Sequence, residues 1–461
     1  MNTNVDYKHP AYTEFLPEWN MIGDCVDGER VVKSRGEKYL PHPADKKRDD
    51  DDGERYKKYL LRASFLNATG RTLSGLLGIA FSKPVKISIS GGTKSLEADI
   101  DGQGQPLTQM IRDALSQVLQ RGRAGLLSDF SGAGAGIQTE ADKGRPYVRL
   151  FTAKEIINWR VTGGKTSLVV VKYQEPVESD DFELQMQDRW IELRLIDGLA
   201  HSRRWQKDSE ISSGEWIKFT DAQGKPLSEL PWSWIGSKNN DHTPDAPPLA
   251  DIAYMNIKHY QIEADIAESA HTIGQPMVAL SGLTDDWVKN HMSGGFTVGS
   301  RKGVLLPQGG DMKFAQPEER TMQIIVAERR EKQMAMLGAK LVERGSSART
   351  ATQALDEAQT DNSVLSLSAG NVEQAFNRAL AFCIQFAGAG EASVELNKTY
   401  EIAQFDSAAI TALLASVQSG NMRIVDFIRY MQGANLVPQD EKPEDVAEEL
   451  ELIRGTNMLG V

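Results

Sequence analysis

Few residues in this chain could do chemistry, and none has the spacing that chemistry needs. The stretch GGTKS at 91–95 has too few positions to cradle a phosphate as a GxxxxGK[ST] loop does. No HExxH, GxSxG or GxGxxG motif occurs. Seven histidines would still allow a Ser–His–Asp triad to assemble in space, but no nucleophile has an activating neighbour. The sequence therefore predicts a protein that is not an enzyme, and it indicates no cofactor.

Groups that bind metals in other proteins also lack the required spacing. His259 and His271 have no cysteine or third histidine beside them, and we expect His259 to be packed inside the protein or in an interface. The aspartate run at 46–55, KKRDDDDGER, lacks the calcium-loop spacing and is typical of a solvated loop. Cys25 and Cys383 form no CxxC pair, which suits a reducing compartment. No metal site is predicted.

Composition and charge limit the remaining classes. The 461 residues, 40% hydrophobic and 25% charged, are typical of a soluble protein with two to four domains. A net charge of −12 argues against a sequence-reading DNA-binding protein, whose surface is usually basic, but not against a protein past which DNA slides. The N-terminus has no signal-peptide core, and no apolar run approaches the ~20 residues that span a bilayer.

The apolar pattern predicts a mixed first half. The first fifty residues are turn-rich, residues 54–80 and 105–122 have helical spacing, and residues 83–90 alternate like a strand. From about 124 to 220 the pattern has a period of two, which predicts several strands. Most of the tryptophans fall in and just after this region. We expect them to pack on sheets rather than to form a ligand cage.

Three long helices are predicted in the second half. The first has one face expected to be buried along its length: Ile252, Met255, His259, Ile262, Ile266, Ala270 and Ile273. The second runs from about 318 to 344, and a small α/β insert separates the two. The third ends at GAG, 388–390, and has a stripe expected to be buried: Leu365, Ala369, Val372, Phe376, Leu380, Cys383 and Phe386. Short helices are predicted at 407–418, 421–431 and 443–454.

The segment between the second and third long helices is unusual. It reads VERGSSARTATQALDEAQ, residues 342–359, and is rich in Gly, Ser, Thr and Ala with two arginines. A connection that only turns the chain needs about two to five residues, with a Gly or Pro. Short side chains would leave room at a constriction, and the arginines could contact phosphates. The alternative is an ordinary interhelical connection with solvated arginines.

The order of these parts resembles the portal protein of tailed bacteriophages. Three stretches look like a portal-like group long catalogued as a family of unknown function: FTAKEIINWR (151–160), PPLADIAYMNIKHYQIEADIAESAHTIGQPMVALSGL (247–283) and SSARTATQALDEAQ (346–359). The resemblance covers roughly residues 10–455. It implies an α+β portal fold with these parts: a wing (1–246 and 351–405), two stem helices (247–274 and 318–343), a small α/β clip between them (275–317), a tunnel loop (344–350) and a helical crown (406–461).

The resemblance also implies a function. Such subunits form a ring, commonly of twelve copies, at one capsid vertex of the virion, after assembly in the host cytoplasm. Double-stranded DNA is packaged and ejected through the ring without sequence specificity. The expected protein partners are the large terminase, the head–tail adaptor, the major capsid protein and a scaffold, and no membrane is involved. The implied DNA-contacting residues are Arg344, Gly345, Ser346, Ser347, Arg349 and Thr350, and the implied partner-binding residues of the clip are Trp287, Lys289, Arg301 and Lys302.

The charge distribution is consistent with a conduit. Residues 318–349 contain seven Lys or Arg against five Glu, whereas residues 391–461 contain twelve acids against five bases. A nearly neutral channel would retain few phosphate contacts, and each retained contact slows sliding. The alternatives are another ring-forming head-completion or scaffold protein of a virion, a DNA-processing enzyme, and a membrane channel built from paired helices.

Overall fold

The chain forms two compact units, Met1–Lys398 and Thr399–Val461. A computed structural model describes residues 4–43, 52–130, 144–176, 182, 184–207, 211–273, 277–291, 306–315, 321–342, 363–398, 400, 414–417, 419, 422–433 and 442–448. Helices and sheets are mixed along the first unit, so the predicted α+β class is confirmed.

The elements of the first unit follow one another in this order. Its α-helices are α1 (Pro10–Asp27), α2 (Glu29–Ser34), α3 (Glu54–Arg62), α4 (Ala68–Ala80), α5 (Ser95–Ala98), α6 (Leu107–Arg121), α7 (Ala250–Ile273), α8 (Asp285–His291), α9 (Thr321–Lys340) and α10 (Val364–Ala387). Its strands are β1 (Lys86–Gly91), β2 (Arg123–Phe130), β3 (Pro146–Thr152), β4 (Ile156–Thr162), β5 (Lys165–Pro176), β6 (Met186–Ile196), β7 (Leu199–Lys207), β8 (Ile211–Ser213), β9 (Ile217–Lys218), β10 (Trp232–Gly236), β11 (Met277–Ser281), β12 (Asp311–Ala315) and β13 (Gly390–Glu395).

The N-terminal segment is helical, so the prediction of a turn-rich start is wrong. Helix α1 spans 18 residues, with Pro10 in its first turn and the His9 ring accepting a hydrogen bond from the Ala11 amide. Its buried face carries Trp19, Ile22 and Cys25, three residues apart. Burial of this face stabilises the helix by more than the interior proline Pro17, a residue that tends to break helices, destabilises it.

The predicted helix over 54–80 is two helices. Helix α3 ends at Arg62, and α4 begins after Asn67, whose side chain caps it by accepting from the Gly70 amide at 2.8 Å. The break between α3 and α4 therefore lies before Gly70, near which the helical spacing of the apolar residues becomes less regular. A side chain at Gly70 would lie 2.7 Å from the cap oxygen of Asn67, so the glycine serves the cap.

Two antiparallel sheets form the strand-rich body. The larger has the order β4-β5-β6-β7-β8, with β9 also pairing with β7, and the smaller has the order β10-β2-β3. Their inner faces share a core to which five of the tryptophans between 159 and 287 contribute: Trp159, Trp190, Trp205, Trp232 and Trp234. The prediction that the tryptophans pack on sheets is confirmed for these five.

Helix α10 closes this body. All seven residues of its predicted stripe are buried, from Leu365 to Phe386, and Gly388 in the left-handed region ends the helix, so both predictions are confirmed. The helix packs on β2, β10 and α6. The Ser128 hydroxyl of β2 donates to the Ala379 carbonyl at 2.9 Å. Strand β13, which follows the helix, pairs antiparallel with β1 from the other end of the unit.

A buried arginine lies between the indoles of the core. The Arg123 guanidinium is 3.9 Å from the ring centroid of Trp159 and 4.1 Å from that of Trp234. His9 stacks on the other face of Trp159, at 3.9 Å between centroids. None of the Arg123 nitrogens has a hydrogen-bond partner among the described residues. Burial lowers the pKa of Arg123 to about 9, which still leaves the side chain charged at pH 7.

Gly125 of β2 gives a first testable prediction. A β-carbon at this position would overlap the Trp232 ring, which lies over the strand. We expect Gly125→Ala to lower the free energy of unfolding by about 1–3 kcal/mol, since the indole has to move within a close-packed core. Gly75→Ala in α4 is the matched control, because a β-carbon there meets nothing within 4 Å. Urea unfolding should show the control unchanged or more stable, and equal loss in both variants would contradict the overlap.

The described part of the second unit is helical. Helix α11 (Ile424–Gly433) confirms the helix predicted at 421–431, and residues 414–417 and 443–448 are also helical. The Arg429 guanidinium donates to Glu444 at 2.5 Å and so ties α11 to the last helical segment.

Candidate functional site

The most distinctive feature of the first unit is a pair of long helices with a small insert between them. Helix α7 has 24 residues and α9 has 20, so they extend about 36 and 30 Å at 1.5 Å per residue. Strand β11 follows α7, β12 precedes α9, and the two strands pair from Met277↔Ala315 to Ser281↔Asp311. The pairing brings the end of α7 and the start of α9 together, so the helices are antiparallel.

The first half of α7 is buried in the body, but its predicted buried face is only partly right. Ile252 and His259 are buried, whereas Met255, Ile262 and Ile266 are half-buried, Ala270 is exposed, and the side chain of Ile273 lies outside the described residues. The residues that are buried instead are Ala253, Asn256, Ile257, Tyr260 and Ala264. The cause is the surroundings, because α1, α3 and α4 cover the first part of the helix from several sides.

Polar contacts fix α7 to the helices beneath it. The Asn256 amide donates to the Leu66 carbonyl at 2.7 Å, and its oxygen accepts from the Thr69 amide and hydroxyl. Farther along, the Tyr59 hydroxyl of α3 donates to Asp265 at 2.7 Å, and Arg62 pairs with Glu268. These contacts hold α7 in place well beyond the part that the core buries.

The Tyr59 contact can be tested by removing one oxygen. We expect Tyr59→Phe to lower the free energy of unfolding by about 1–2 kcal/mol, because the charged Asp265 carboxylate loses the hydrogen bond that the Tyr59 hydroxyl donates to it. Tyr7→Phe is the control, since Tyr7 is exposed and its hydroxyl can remain hydrated. Urea unfolding of both variants decides the point, and a Tyr59→Phe value as small as that of the control would show that the contact contributes no stability.

His259 joins the two long helices. Its ring is 2% exposed, and its Nε2 atom lies 3.3 Å from Glu331 of α9 and 3.7 Å from Glu263 of α7. The prediction that this histidine is packed is confirmed. His271, near the end of the same helix, is exposed.

Helix α9 leaves an apolar surface uncovered. Of its 20 residues, only Ala327 and Met334 are buried. Four large apolar side chains are half or more exposed: Met322, Ile324, Ile325 and Met336. We call this set the α9 apolar face, in which Met322, Ile325 and Met336 lie within about 60° of one another around the helix and Ile324 lies on another side. A single chain rarely leaves so many large apolar side chains together in water, and such surfaces mark interaction sites. Sequence reasoning missed them, although the run MQIIV at 322–326 signals an apolar surface wider than one helix partner covers.

In the insert between the helices, no side chain is fully buried among those whose burial is described, at 279–290 and 306–313. Of the predicted partner-binding residues, Trp287 on α8 is half-buried and Lys289 is exposed, whereas Arg301 and Lys302 lie outside the described residues. Gly282 and Gly309 come close together, since a β-carbon on Gly282 would lie 2.5 Å from the Gly309 carbonyl oxygen. The insert therefore presents most of its described side chains outward.

The predicted tunnel loop lies outside the described residues, but the structure describes both of its flanks. The DNA-contacting candidates Arg344, Gly345, Ser346, Ser347, Arg349 and Thr350 all lie in that part of the chain. On either side, the Leu365 amide of α10 donates to the Leu341 carbonyl at 3.1 Å. The end of α9 and the start of α10 therefore meet, with residues 342–364 between the two bonded positions.

The described residues offer no arrangement that favours catalysis. No group of three or more His, Cys, Asp or Glu side chains is placed to hold a metal in the described ranges. Burial raises the pKa of the Cys25 and Cys383 thiols to about 12, so both stay protonated at neutral pH and neither is a nucleophile. No helix in the described part of the chain is both long and apolar enough to cross a bilayer.

Comparisons with known proteins give one family match. Residues 248–387 match a family described as a domain of unknown function, DUF4055. The matched segment begins just before α7 and ends with the last residue of α10, so it covers both long helices, the insert and the predicted loop. No curated protein sequence matches the chain significantly.

Solved structures give only a weak likeness. The neck of an empty GTA particle computed with C6 symmetry aligns with 13% identity and a TM-score of 0.38, over 81% of this chain and 90% of that chain. The neck of a native GTA particle computed with C12 symmetry aligns with 14% identity and a TM-score of 0.35, over the same shares of the two chains. Scores this low do not establish a shared fold.

Proposed function

We propose that this chain is the subunit of a portal-like ring in a phage-type virion, a structural protein and not an enzyme. One observation carries the proposal: an antiparallel pair of long helices, α7 and α9, holds a small insert at one end and leaves the α9 apolar face uncovered. The sequence resemblance to portal proteins supports the same function. On this proposal α7 and α9 are the stem, the insert is the clip, and the first unit outside them is mainly the wing.

Ring formation explains the uncovered face. Neighbouring subunits that pack on two sides of α9 would bury Met322, Ile324 and Ile325, which water covers in a single chain. Contacts between unlike faces generate a ring whenever the rotation between subunits closes. We propose a closed homo-oligomer, commonly of twelve subunits in the proteins that this chain resembles, located at one vertex of the capsid.

The insert is proposed to bind partners. Most of its described side chains are exposed and none whose burial is described is fully buried, as expected of a segment that is completed by another protein. We propose that the large terminase and later the head–tail adaptor dock here, with contacts from Trp287, Lys289, Arg301 and Lys302. The capsid protein and a scaffold would contact the ring elsewhere.

The segment between α9 and α10 is proposed to line the DNA channel. Its flanks meet at Leu341 and Leu365, so a short connection would be enough to join α9 to α10. The greater length of the segment therefore suits a role other than connecting the two helices. Small residues together with Arg344 and Arg349 suit a surface that touches phosphates without holding them.

The loop proposal predicts a loss of packaging without a loss of folding. Arg349→Glu places a carboxylate beside passing phosphates in every subunit, so packaged DNA per particle should fall while thermal unfolding stays within about 0.5 kcal/mol of wild type. Arg349→Gln is the control, which removes the positive charge without adding repulsion and should have a smaller effect. Normal DNA content in both variants would count against a channel role for Arg349.

Electron microscopy of the purified protein tests the whole proposal. Negatively stained particles should be rings with a central hole, and light scattering should give an integral multiple of 50.9 kDa. A monomer that persists at high protein concentration and at both low and high salt would overturn the proposal.

A further inference from the structure

A groove on the body, far in sequence from the paired helices, combines an apolar floor with free cations. It has a volume of about 580 Å³, within the range of about 300–1,000 Å³ that ligand pockets span. The end of β2, strand β7, the segment 217–222 and the last turn of α10 surround it. We call it the β7 groove.

The floor of the β7 groove is aromatic and firmly held. Phe386 of α10 contacts Phe130 and Phe219, with ring centroids 6.5 and 6.4 Å apart. The Ala222 amide donates to the Gln385 carbonyl, and the Phe219 amide donates to the Ala200 carbonyl, each at 3.0 Å. Ile217 on the rim is 65% exposed. A surface held this way needs little reordering when a ligand binds, which favours affinity.

The charges of the groove leave two cations unpaired. Arg203 is occupied, because it donates to Glu192 and stacks between Trp205 and Trp216. Arg204 and Lys218 are exposed, and neither has a carboxylate within 4 Å among the described residues. Arg204 still acts on Asp129, because burial raises the pKa of that carboxyl and the arginine's charge opposes the shift. The two carboxylates of the groove already accept hydrogen bonds: Asp129 from the Tyr147 hydroxyl and the Phe130 amide, and Asp221 from the Gln223 and Lys225 amides.

We infer that the β7 groove binds a short segment of a partner protein in which carboxylates alternate with bulky apolar side chains. The apolar side chains would cover Ile217 and the phenylalanines of the floor, and the carboxylates would pair with Arg204 and Lys218. Two exposed cations beside an apolar floor favour a peptide over DNA, since a phosphate backbone needs a row of cations and gains nothing from aromatic side chains. The inference does not depend on ring formation.

Labelled model peptides test this inference on the full-length protein. Fluorescence anisotropy should show that a fluorescein-labelled decapeptide of alternating Glu and Leu binds, and that the Gln–Leu decapeptide binds about tenfold more weakly because both ion pairs are lost. Arg204→Glu/Lys218→Glu should weaken Glu–Leu binding by at least about tenfold, and Ile217→Ser should weaken both peptides. Binding should also fall as salt is raised.

Matched controls make the test decisive. Lys94→Glu/Lys165→Glu makes the same change in net charge at exposed positions outside the groove, and it should leave binding unchanged. Equal binding of the Glu–Leu and Gln–Leu peptides, or equal binding by the wild type and the Arg204→Glu/Lys218→Glu variant, would overturn the inference. Displacement of the peptide by a short DNA duplex would overturn it too and would assign the groove to nucleic acid.

Discussion

Ile324→Gln/Ile325→Gln should convert the proposed ring into a folded monomer. The two isoleucines are 50% and 62% exposed in the single chain, so a neighbour that covers them removes roughly half of each side chain from water. Full burial of such a side chain is worth about 1.5–3 kcal/mol, so the pair contributes about 2–3 kcal/mol to each interface. Every 1.4 kcal/mol is a factor of ten in affinity, and the loss recurs at every interface of the ring.

The same substitutions should leave the subunit intact. Neither isoleucine belongs to the core, and glutamine is at least as favourable as isoleucine in a helix. Light scattering should therefore give about 51 kDa for the variant, with the circular-dichroism spectrum of the wild-type protein and a cooperative thermal unfolding transition. Ile324→Leu/Ile325→Leu, which keeps the apolar area, should still form rings. Rings of normal mass in the glutamine variant would show that the α9 apolar face is not the subunit interface.

Arg123→Ala should destabilise the body by about 3–5 kcal/mol. The substitution removes the side chain that fills the space between Trp159 and Trp234, and it leaves a cavity in the core. It also removes two cation–π contacts, which are worth about 2 kcal/mol or more each where water is excluded. Part of this loss is offset, because the variant no longer buries a charge that has no hydrogen-bond partner among the described residues.

Arg123→Met separates packing from charge. Methionine fills most of the same space and needs no hydrogen bond, so we expect it to unfold within about 1.5 kcal/mol of wild type. Urea unfolding followed by tryptophan fluorescence measures all three proteins, because the indoles report directly on this site. If Met is as damaging as Ala, the positive charge itself stabilises the site, through the more distant Asp241 and Asp245.

The sequence predicts best where one local rule decides the structure. The stripe of α10 is an example, because the helix is covered along its length and its spacing alone defines the buried face. The sequence of the insert predicts a strand at MVAL, a short helix at TDDWVKNHM and strands at GVLLP and DMKFA; the first, second and fourth are found at Met277–Ser281, Asp285–His291 and Asp311–Ala315, whereas most of GVLLP lies outside the described residues. The fold class and the aromatic core of the sheets follow from the same kind of evidence.

The errors arise where distant parts of the chain decide. Helix α1 forms despite Pro17 because the rest of the body buries Trp19 and Ile22, and no local rule contains that information. The buried face of α7 differs from the predicted one because three other helices cover it from directions that periodicity does not reveal. Arg123 is missed for the same reason, since the two indoles that enclose it come from other strands. The loop residues from Arg344 to Thr350 remain a prediction.

The pairing of β1 with β13 can form only late in synthesis of the chain. Lys86 and its cross-strand partner Glu395 are 309 positions apart, so the ribosome must make nearly the whole first unit before this sheet can form. At about 5–20 residues per second the delay is about 15–60 s. Until α10 emerges, the apolar surface of β2 and β10 that it covers is exposed to other nascent chains on the same message. We expect a chain stopped before Val364 to be held by chaperones or to aggregate, and the complete chain to fold without a stable intermediate that lacks α10.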